Sequence, residues 1–369
     1  MTDLDPDTIA SLTRYGFDPE LQARWQRLIA DGTFAKANNV ITDELSAPPA
    51  GSIHELPPPD SDEFRELHEL GLQAIGRGEL AVCVLNGGMA TRFGGVVKGV
   101  VEVRDGLSFL GLAMHDTLAV ARAAGGRIPV YLMNSFATDD ATKDHFAEHD
   151  DFGVPADDLE HFTQFVALRA TRDGQLFRRD DGSVSPYGPG HGDFAAAFRA
   201  AGCLERLRNR GGKYVFVRNV DNLGARVSPA VLGHHIRSGC EMTAEQAPKW
   251  EGDVGGAPYL VAGRVQLVEG LRYPDGFDAG IVDVFNCNTM TFDAAALARP
   301  VELGRYYVEK EVDGRKAVQI EHLIGEMTAH LTTNFLKIPR AGADSRFLPI
   351  KAPRDLSDAR AEIDAIYGR

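Results

Sequence analysis

Cysteine is scarce: four in 369 residues, Cys83, Cys203, Cys240 and Cys287, with no CxxC pair among them. This spacing offers neither a zinc ribbon nor a disulfide framework. Cys83 and Cys287 sit in apolar runs, as the buried reduced thiols of a cytoplasmic protein do. No apolar run approaches the length of a membrane span. The first ten residues, MTDLDPDTIA, are acidic and carry no apolar stretch, so no signal peptide is expected. Basic residues are outnumbered, 39 Lys and Arg against 53 Asp and Glu, for a net charge of −14. That excludes an extended nucleic-acid surface, because neutralising many phosphates requires clustered Lys and Arg. A single nucleotide needs only a local cluster. The chain also lacks HExxH, zinc-ligand spacing, a Ser–His–Asp order and any internal repeat, so nothing suggests a covalent nucleophile.

What remains is an ordinary globular composition, 44% apolar and 25% charged, arranged around residues 82–98, VCVLNGGMATRFGGVVK. A short apolar run at 80–85 empties into a glycine-dense turn. Arg92 and Lys98 follow in a chain that is otherwise acidic. A buried strand followed by a glycine loop brings backbone N–H groups to the carboxyl edge of a sheet, with no side chain in the way of a phosphate. The turn lacks both the GK[ST] ending of a P-loop and the GxGxxG spacing. A plain turn is the competing reading, and the preceding strand and following basic residues favour the phosphate cradle.

Residues 1–35 read as helix around a break at 16–19, and the proline-rich segment 46–60 as an extended linker. Ser61 or Asp62 caps a helix that Gly76 and Gly78 end. Residues 1–79 are therefore expected to form a helical extension, and residues 80–369 the main domain. In the main domain strands are predicted at 80–85, 100–103, 128–133, 161–166 and 214–219. Helices are predicted at 109–124, 137–148 and 193–209. This alternation predicts an α/β fold with a mixed, mainly parallel central sheet and flanking helices. After residue 240 the pattern changes to paired β-runs at 241–246, 259–262 and 265–268. Strands follow at 282–290 and 335–339, with helices at 318–331 and 355–366.

Five further clusters fall at predicted loops or strand ends. Gln164 ends a strand. Its amide offers a donor and an acceptor side by side, which suits a pyrimidine edge, although a lone glutamine is ordinarily a surface residue. Residues 186–193, PYGPGHGD, form a tight loop before a helix, with His191 as a donor and Asp193 as a possible N-cap. The run VRNVDNLG brings Asn219, Asp221 and Asn222 to a strand's carboxyl end, where a lone aspartate beside a phosphate loop suits Mg²⁺. Asn286 and Asn288 alternate along a strand and so share a face, from which they can bond sugar hydroxyls. Lys351, in RFLPIK, supplies a second phosphate-directed lysine. One glycine loop, two lysines, an arginine, one carboxylate and several amides suit phosphoryl or nucleotidyl transfer.

These residues carry a resemblance. LNGGMATRFGGVVK, VEVRDGLSFL, PVYLMNSFATDDATK, PGHGD, FVRNVDNLGA, KWEGDVGG, FNCNT, VQIEHLIG and RFLPIK occur in the order of the UTP–glucose-1-phosphate uridylyltransferase (UDP-glucose pyrophosphorylase) family. The resemblance runs from about residue 80 to residue 356. It implies a glycosyltransferase-A-like, Rossmann-type nucleotidyltransferase that joins UTP to a sugar 1-phosphate, most simply glucose 1-phosphate, with Mg²⁺ as cofactor. In that reading Leu85, Asn86, Gly87 and Gly88 hold the nucleotide, and Lys98 meets the phosphates of UTP with Arg92 nearby. Gln164 and Gly190 read uracil. Asn219 and Asp221 hold ribose and phosphate, with Asp221 on the metal. His191, Asn286, Asn288 and Lys351 receive the sugar phosphate. Ala90, Arg92 and Val97 depart from the family loop, and Arg92 makes it closer to that of UDP-N-acetylhexosamine pyrophosphorylases. The same chemistry on an N-acetylhexosamine or cyclitol 1-phosphate is therefore the second reading, and a non-catalytic sugar-nucleotide sensor the third. The family's C-terminal β-helix module is not expected here, and a monomer or weak dimer without nucleic-acid or membrane partners is.

Overall fold

The computed structural model describes residues 4–90 and 95–368. Arg92, one of the expected catalytic residues, lies outside the described residues.

An eight-stranded sheet organises the chain. Its strands are β1 (Ile53–Glu55), β2 (Leu80–Leu85), β3 (Val130–Asn134), β4 (Leu159–Thr163), β5 (Tyr214–Asn219), β6 (Met242–Pro248), β7 (Val284–Asp293) and β8 (Thr333–Lys337), in the spatial order β1-β8-β6-β7-β5-β2-β3-β4. Every pairing is parallel except those of β7, which runs antiparallel to β5 and β6. The mainly parallel sheet expected from the alternation is thus present.

Burial on both faces explains why β2, LAVCVL, carries no polar residue: all six positions are buried. Ala81, Cys83 and Leu85 face one core, with Phe194, Phe198 and Leu207. Leu80, Val82 and Val84 face the other, with Ile75, Leu110 and Leu232. The first core lies under helices α6 (Phe194–Ala200) and α7 (Cys203–Asn209). The second lies under α3 (Asp62–Gly76), α4 (Phe109–Ala123) and α8 (Pro229–Ser238). Helices α1 (Pro6–Thr13) and α2 (Pro19–Ala30) precede them in the chain, and α5 (Asp139–Glu148) follows β3. Ser61 caps α3 by accepting from the Phe64 N–H at 3.1 Å. Two glycines let α3 and α8 touch backbone to backbone. A Cβ on Gly71 would stand 1.9 Å from the Pro229 carbonyl oxygen, and one on Gly233 would stand 1.9 Å from that of Leu67. Cys83, Cys203 and Cys287 are buried and all four cysteines are free, as expected.

Several expectations are corrected. Residues 318–331 are not a helix. Strand Arg315–Glu321 pairs antiparallel with Tyr306–Val312, and a 3₁₀ segment, Ile324–Ala329, follows. The decisive residues are Asp313 and Gly314, both at positive φ (50° and 69°), which close the two-residue hairpin turn that an Asp–Gly pair favours. The predicted helix 193–209 is two helices, because Gly202 at φ 73° breaks it. The last helix is likewise two, Pro353–Asp358 and Arg360–Tyr367. The proline-rich segment is extended, but β1 within it pairs with β8 as the sheet's edge. Helix α8 was not anticipated, although Ser228 at its N-cap, Pro229 at its first turn and Gly239 at its end mark it. The hairpin Ala257–Val261 with Arg264–Val268 matches the paired β-runs.

Candidate active site

The carboxyl ends of β2, β3, β4 and β5 share one edge. Because β7 is antiparallel, its first residues arrive at that same edge. Leu85 pairs in register with Asn219, and its carbonyl accepts from the Val220 N–H at 3.1 Å, which fixes the spacing of the two loops. The Asn86 side chain turns away from the edge. Its amide donates to Asn134 Oδ1 (2.9 Å) and Thr142 Oγ1 (2.8 Å), fully buried, and so ties the start of the glycine loop to β3 and α5. Gly88 is exposed, and a Cβ there would meet nothing within 4 Å.

Lys98 opens a short 3₁₀ turn, Lys98–Val100. Gly99 lets that turn lie on Asn86: a Cβ would stand 2.3 Å from Asn86 Oδ1. The turn delivers Lys98 Nζ to Asp221 Oδ2 at 2.9 Å. Lys351 Nζ reaches the same oxygen at 3.0 Å. The segment carrying Lys351 is held by Asn222, whose Oδ1 accepts from the Leu348 N–H at 2.8 Å, and by the Ile350 N–H on the Asp221 carbonyl at 2.9 Å. A buried bidentate pair, Arg346 with Glu245 at 2.7 Å, anchors it further. Burial alone would raise the Asp221 pKa. Lys351 and Lys98 outweigh that and hold it below the ordinary value, so the carboxylate stays ionised.

Beside this pair lies a cavity of about 250 Å³ whose lining includes His191, Asn219, Asp221, Asn286, Asn288 and Lys351. The four residues expected to receive the sugar phosphate thus meet. Asn288 adopts φ 54°, a left-handed residue where the β6–β7 register shifts. The kink turns its amide onto Asn219 Oδ1 (3.0 Å), while its own N–H donates to Asn286 Oδ1 (3.0 Å). Asn286 in turn donates to Glu269 at 3.1 Å. The Ile324 N–H donates to His191 Nδ1 at 3.0 Å, which leaves Nε2–H as the free donor of the neutral ring. Burial holds the His191 pKa below its usual value, against the pull of Glu269 and Glu321.

Gln164 lies four strands along the same edge and is buried. Its side-chain amide stands against two glycines: a Cβ on Gly188 would be 1.9 Å from its Nε2, and one on Gly87 2.8 Å. Among the described residues nothing hydrogen-bonds that amide. Gly190, at φ 108°, packs on the His322 carbonyl. Sequence reasoning missed Glu269, Gly188 and the structural role of Asn222. PYGPGHGD already marked Gly188 as part of a tight loop, whereas Glu269 follows a hairpin strand and carries no local signal.

A site of this make-up, two lysines on one strand-end carboxylate beside an amide-lined cavity, can neutralise phosphates and orient a hydroxylated ligand. Comparison with known proteins agrees. Residues 33–363 match the family described as UTP--glucose-1-phosphate uridylyltransferase. The UTP--glucose-1-phosphate uridylyltransferase of Hordeum vulgare is 33% identical over 316 residues, covering 81% of this chain and 63% of that protein. The chain therefore spans under two thirds of that relative's length. Among solved structures, the uridine diphosphate N-acetylglucosamine pyrophosphorylase of Trypanosoma brucei has a TM-score of 0.79 at 18% identity, covering 96% of this chain and 79% of that one. The UDP-glucose phosphorylase of Trypanosoma brucei has a TM-score of 0.75 at 20% identity, covering 94% and 76%. These two likenesses establish the fold. The extent of the family match and the level of identity together show that this chain belongs to the UTP--glucose-1-phosphate uridylyltransferase family.

Proposed function

We propose that this protein transfers a uridylyl group from UTP to glucose 1-phosphate, releasing pyrophosphate. A phosphate oxygen of the sugar phosphate attacks the α-phosphorus of UTP in line, and the bond from that phosphorus to the bridging oxygen of pyrophosphate breaks. Lys98 and Lys351 move from Asp221 onto phosphate oxygens and offset the charge that develops there. Gln164 pairs its amide with N3–H and O4 of uracil, and Gly190 and Gly188 leave room for the base. Leu85, Gly87 and Gly88 present backbone to the nucleotide, with Asn86 supporting them from below. Asn219 meets the ribose. His191 Nε2–H, Asn286 and Asn288 orient the sugar and its phosphate.

Mg²⁺ fits the donor set. Both lysine contacts use Asp221 Oδ2, which leaves Oδ1 for a cation whose remaining ligands are phosphate oxygens and water. Bound there, the ion supplies charge neutralisation of the phosphates. In this reading residues 80–369 form the catalytic unit, residues 1–79 extend it, and the protein works in the cytoplasm.

The observation that carries the proposal is the bridge from Lys98 through Asp221 to Lys351 at the wall of the cavity lined by His191, Asn286 and Asn288. The test is a matrix of the four nucleoside triphosphates against glucose, N-acetylglucosamine and cyclitol 1-phosphates, read as pyrophosphate release with Mg²⁺. UTP with glucose 1-phosphate is expected to give the highest kcat/KM. A higher value with another triphosphate would remove Gln164 from base reading. A higher value with another sugar phosphate would replace the sugar alone.

A further inference from the structure

The end of α5 carries His145 and Glu148, with His149 at its C-cap. Side chains three and four positions after His145 share its helix face. One ligand atom from each of the three residues lies within 4.8 Å of the other two. The order, His-x-x-Glu-His, is the reverse of HExxH, and sequence reasoning missed it.

Both rings are oriented by the protein. His149 Nδ1 is 2.8 Å from the His145 carbonyl, which only accepts, so that nitrogen carries the proton and Nε2 keeps its lone pair. His145 Nε2 is 2.8 Å from Ser108 Oγ, the N-cap oxygen of α4. With this nitrogen as donor, His145 Nδ1 is the one left with a lone pair. An outer oxygen on the second ring nitrogen is the arrangement that fixes metal-binding imidazoles. Phe152 holds the pair from the side: its ring stacks on His149 at 5.0 Å and 15°, and lies 5.3 Å from His145. Asp150, Asp151 and Phe152, at φ 49°, 51° and 52°, fold the chain back to place it there. The group also sits at a helix C-terminus, where the last carbonyls favour a cation.

We propose that His145, Glu148 and His149 bind one Zn²⁺, with water in the fourth position. Two imidazoles and a carboxylate select a borderline transition metal over Mg²⁺ or Ca²⁺, whose shells are built from oxygens. Tetrahedral zinc ligands stand about 3.4 Å apart. Small rotations bring the three donors to that spacing, because Glu148 and His149 are exposed and free of packing around their tips on the solvent side. The site is separate from Asp221 and does not rest on the reaction proposed above.

The test uses the full chain, stripped of metal with a chelator and dialysed, and Zn²⁺ alone as probe. Titration in competition with a chromophoric zinc indicator is expected to show saturable binding. His149→Ala, His145→Ala and Glu148→Gln are each expected to weaken it at least about tenfold, since replacing even an outer-shell partner costs 10–100-fold. His330→Ala, at an exposed histidine elsewhere, and Asp221→Asn are expected to leave it unchanged. In nuclear magnetic resonance the His145 and His149 ring signals, assigned with the two alanine variants, are expected to move together as Zn²⁺ is added, and Mg²⁺ is expected to leave them in place. Circular dichroism checks that each variant folds, and the exposed position of His149 keeps the test open if His145→Ala does not. Absence of saturable binding, full affinity in folded His149→Ala, or stationary ring signals would overturn the site. These readouts need no turnover, so a failure of the substrate matrix would remove the proposed reaction and leave this result standing.

Discussion

Asp221 Oδ2 accepts from two lysines that are 123 and 130 residues away in sequence. With Lys98 only 12% exposed, removing its ammonium deletes a charge from a site shielded from water. Lys98→Ala is expected to lower kcat roughly 100- to 1,000-fold in a chain that still folds. Near-normal turnover in steady-state assays would take this lysine out of the mechanism. Asp193 yields a pH prediction at the same scale. In the unfolded chain it ionises near 3.8, and in the folded chain near 7 because burial opposes the charge. Below pH 3.8 it is neutral in both states. Between the two values the unfolded state gives up its proton and the folded state keeps it, so stability falls as pH rises and then levels off. Asp193→Asn cannot ionise. Its stability relative to the parent is therefore expected to rise from pH 4 to pH 7 and stay level above, as denaturant titrations across that range would measure.

At the level of elements, the site depends on close backbone approaches that only glycine permits. The 186–193 loop can lie on Gln164 because position 188 has no Cβ, which would otherwise stand 1.9 Å from Nε2. Gly188→Ala is expected to displace the Gln164 amide. The KM for UTP should rise and the preference for UTP over CTP should fall by about tenfold or more, since a misplaced amide leaves the base edge unpaired. Competition kinetics with the two triphosphates would test this. The segment that supplies Lys351 is tied to the sheet by the pair of Arg346 with Glu245, both nearly fully buried. Glu245→Ala leaves a buried guanidinium without its carboxylate and is expected to cost about 3–5 kcal/mol in denaturant unfolding. A loss below about 1 kcal/mol would mean that the anchor contributes little.

For the whole molecule, the −14 net charge opposes self-association. Among the described residues the exposed large hydrophobics are Val40, Val96, Trp250, Val254, Leu271 and Ile281, with Trp250 and Val254 in one loop. A monomer or weak dimer is expected by light scattering, with apparent mass rising as salt screens the charge. A stable larger assembly at low salt would contradict it. No helix among the described residues is long and apolar enough to cross a membrane.

Much of the sheet was legible because its strands are locally written. LAVCVL and YVFVRN are apolar runs ended by turn residues, and both strands appear at the predicted bounds. The residue types of the site were legible for the same reason: glycine loops, lysines and a lone strand-end aspartate carry their chemistry in their identity. The hairpin at 306–321 was misread because the apolar spacing of VQIEHLIG fits a helix, and only the Asp313–Gly314 turn and the facing strand decide otherwise. Sequence could not show that Asn86 turns inward, that Asn288 is left-handed where register slips, or that Glu269 joins the asparagine network. Those follow from contacts between segments far apart in the chain. Local composition sets which groups are available and where strands begin and end. Which of those groups face one cavity is settled by strand order, by the reversed direction of β7 and by the glycines that let distant loops touch.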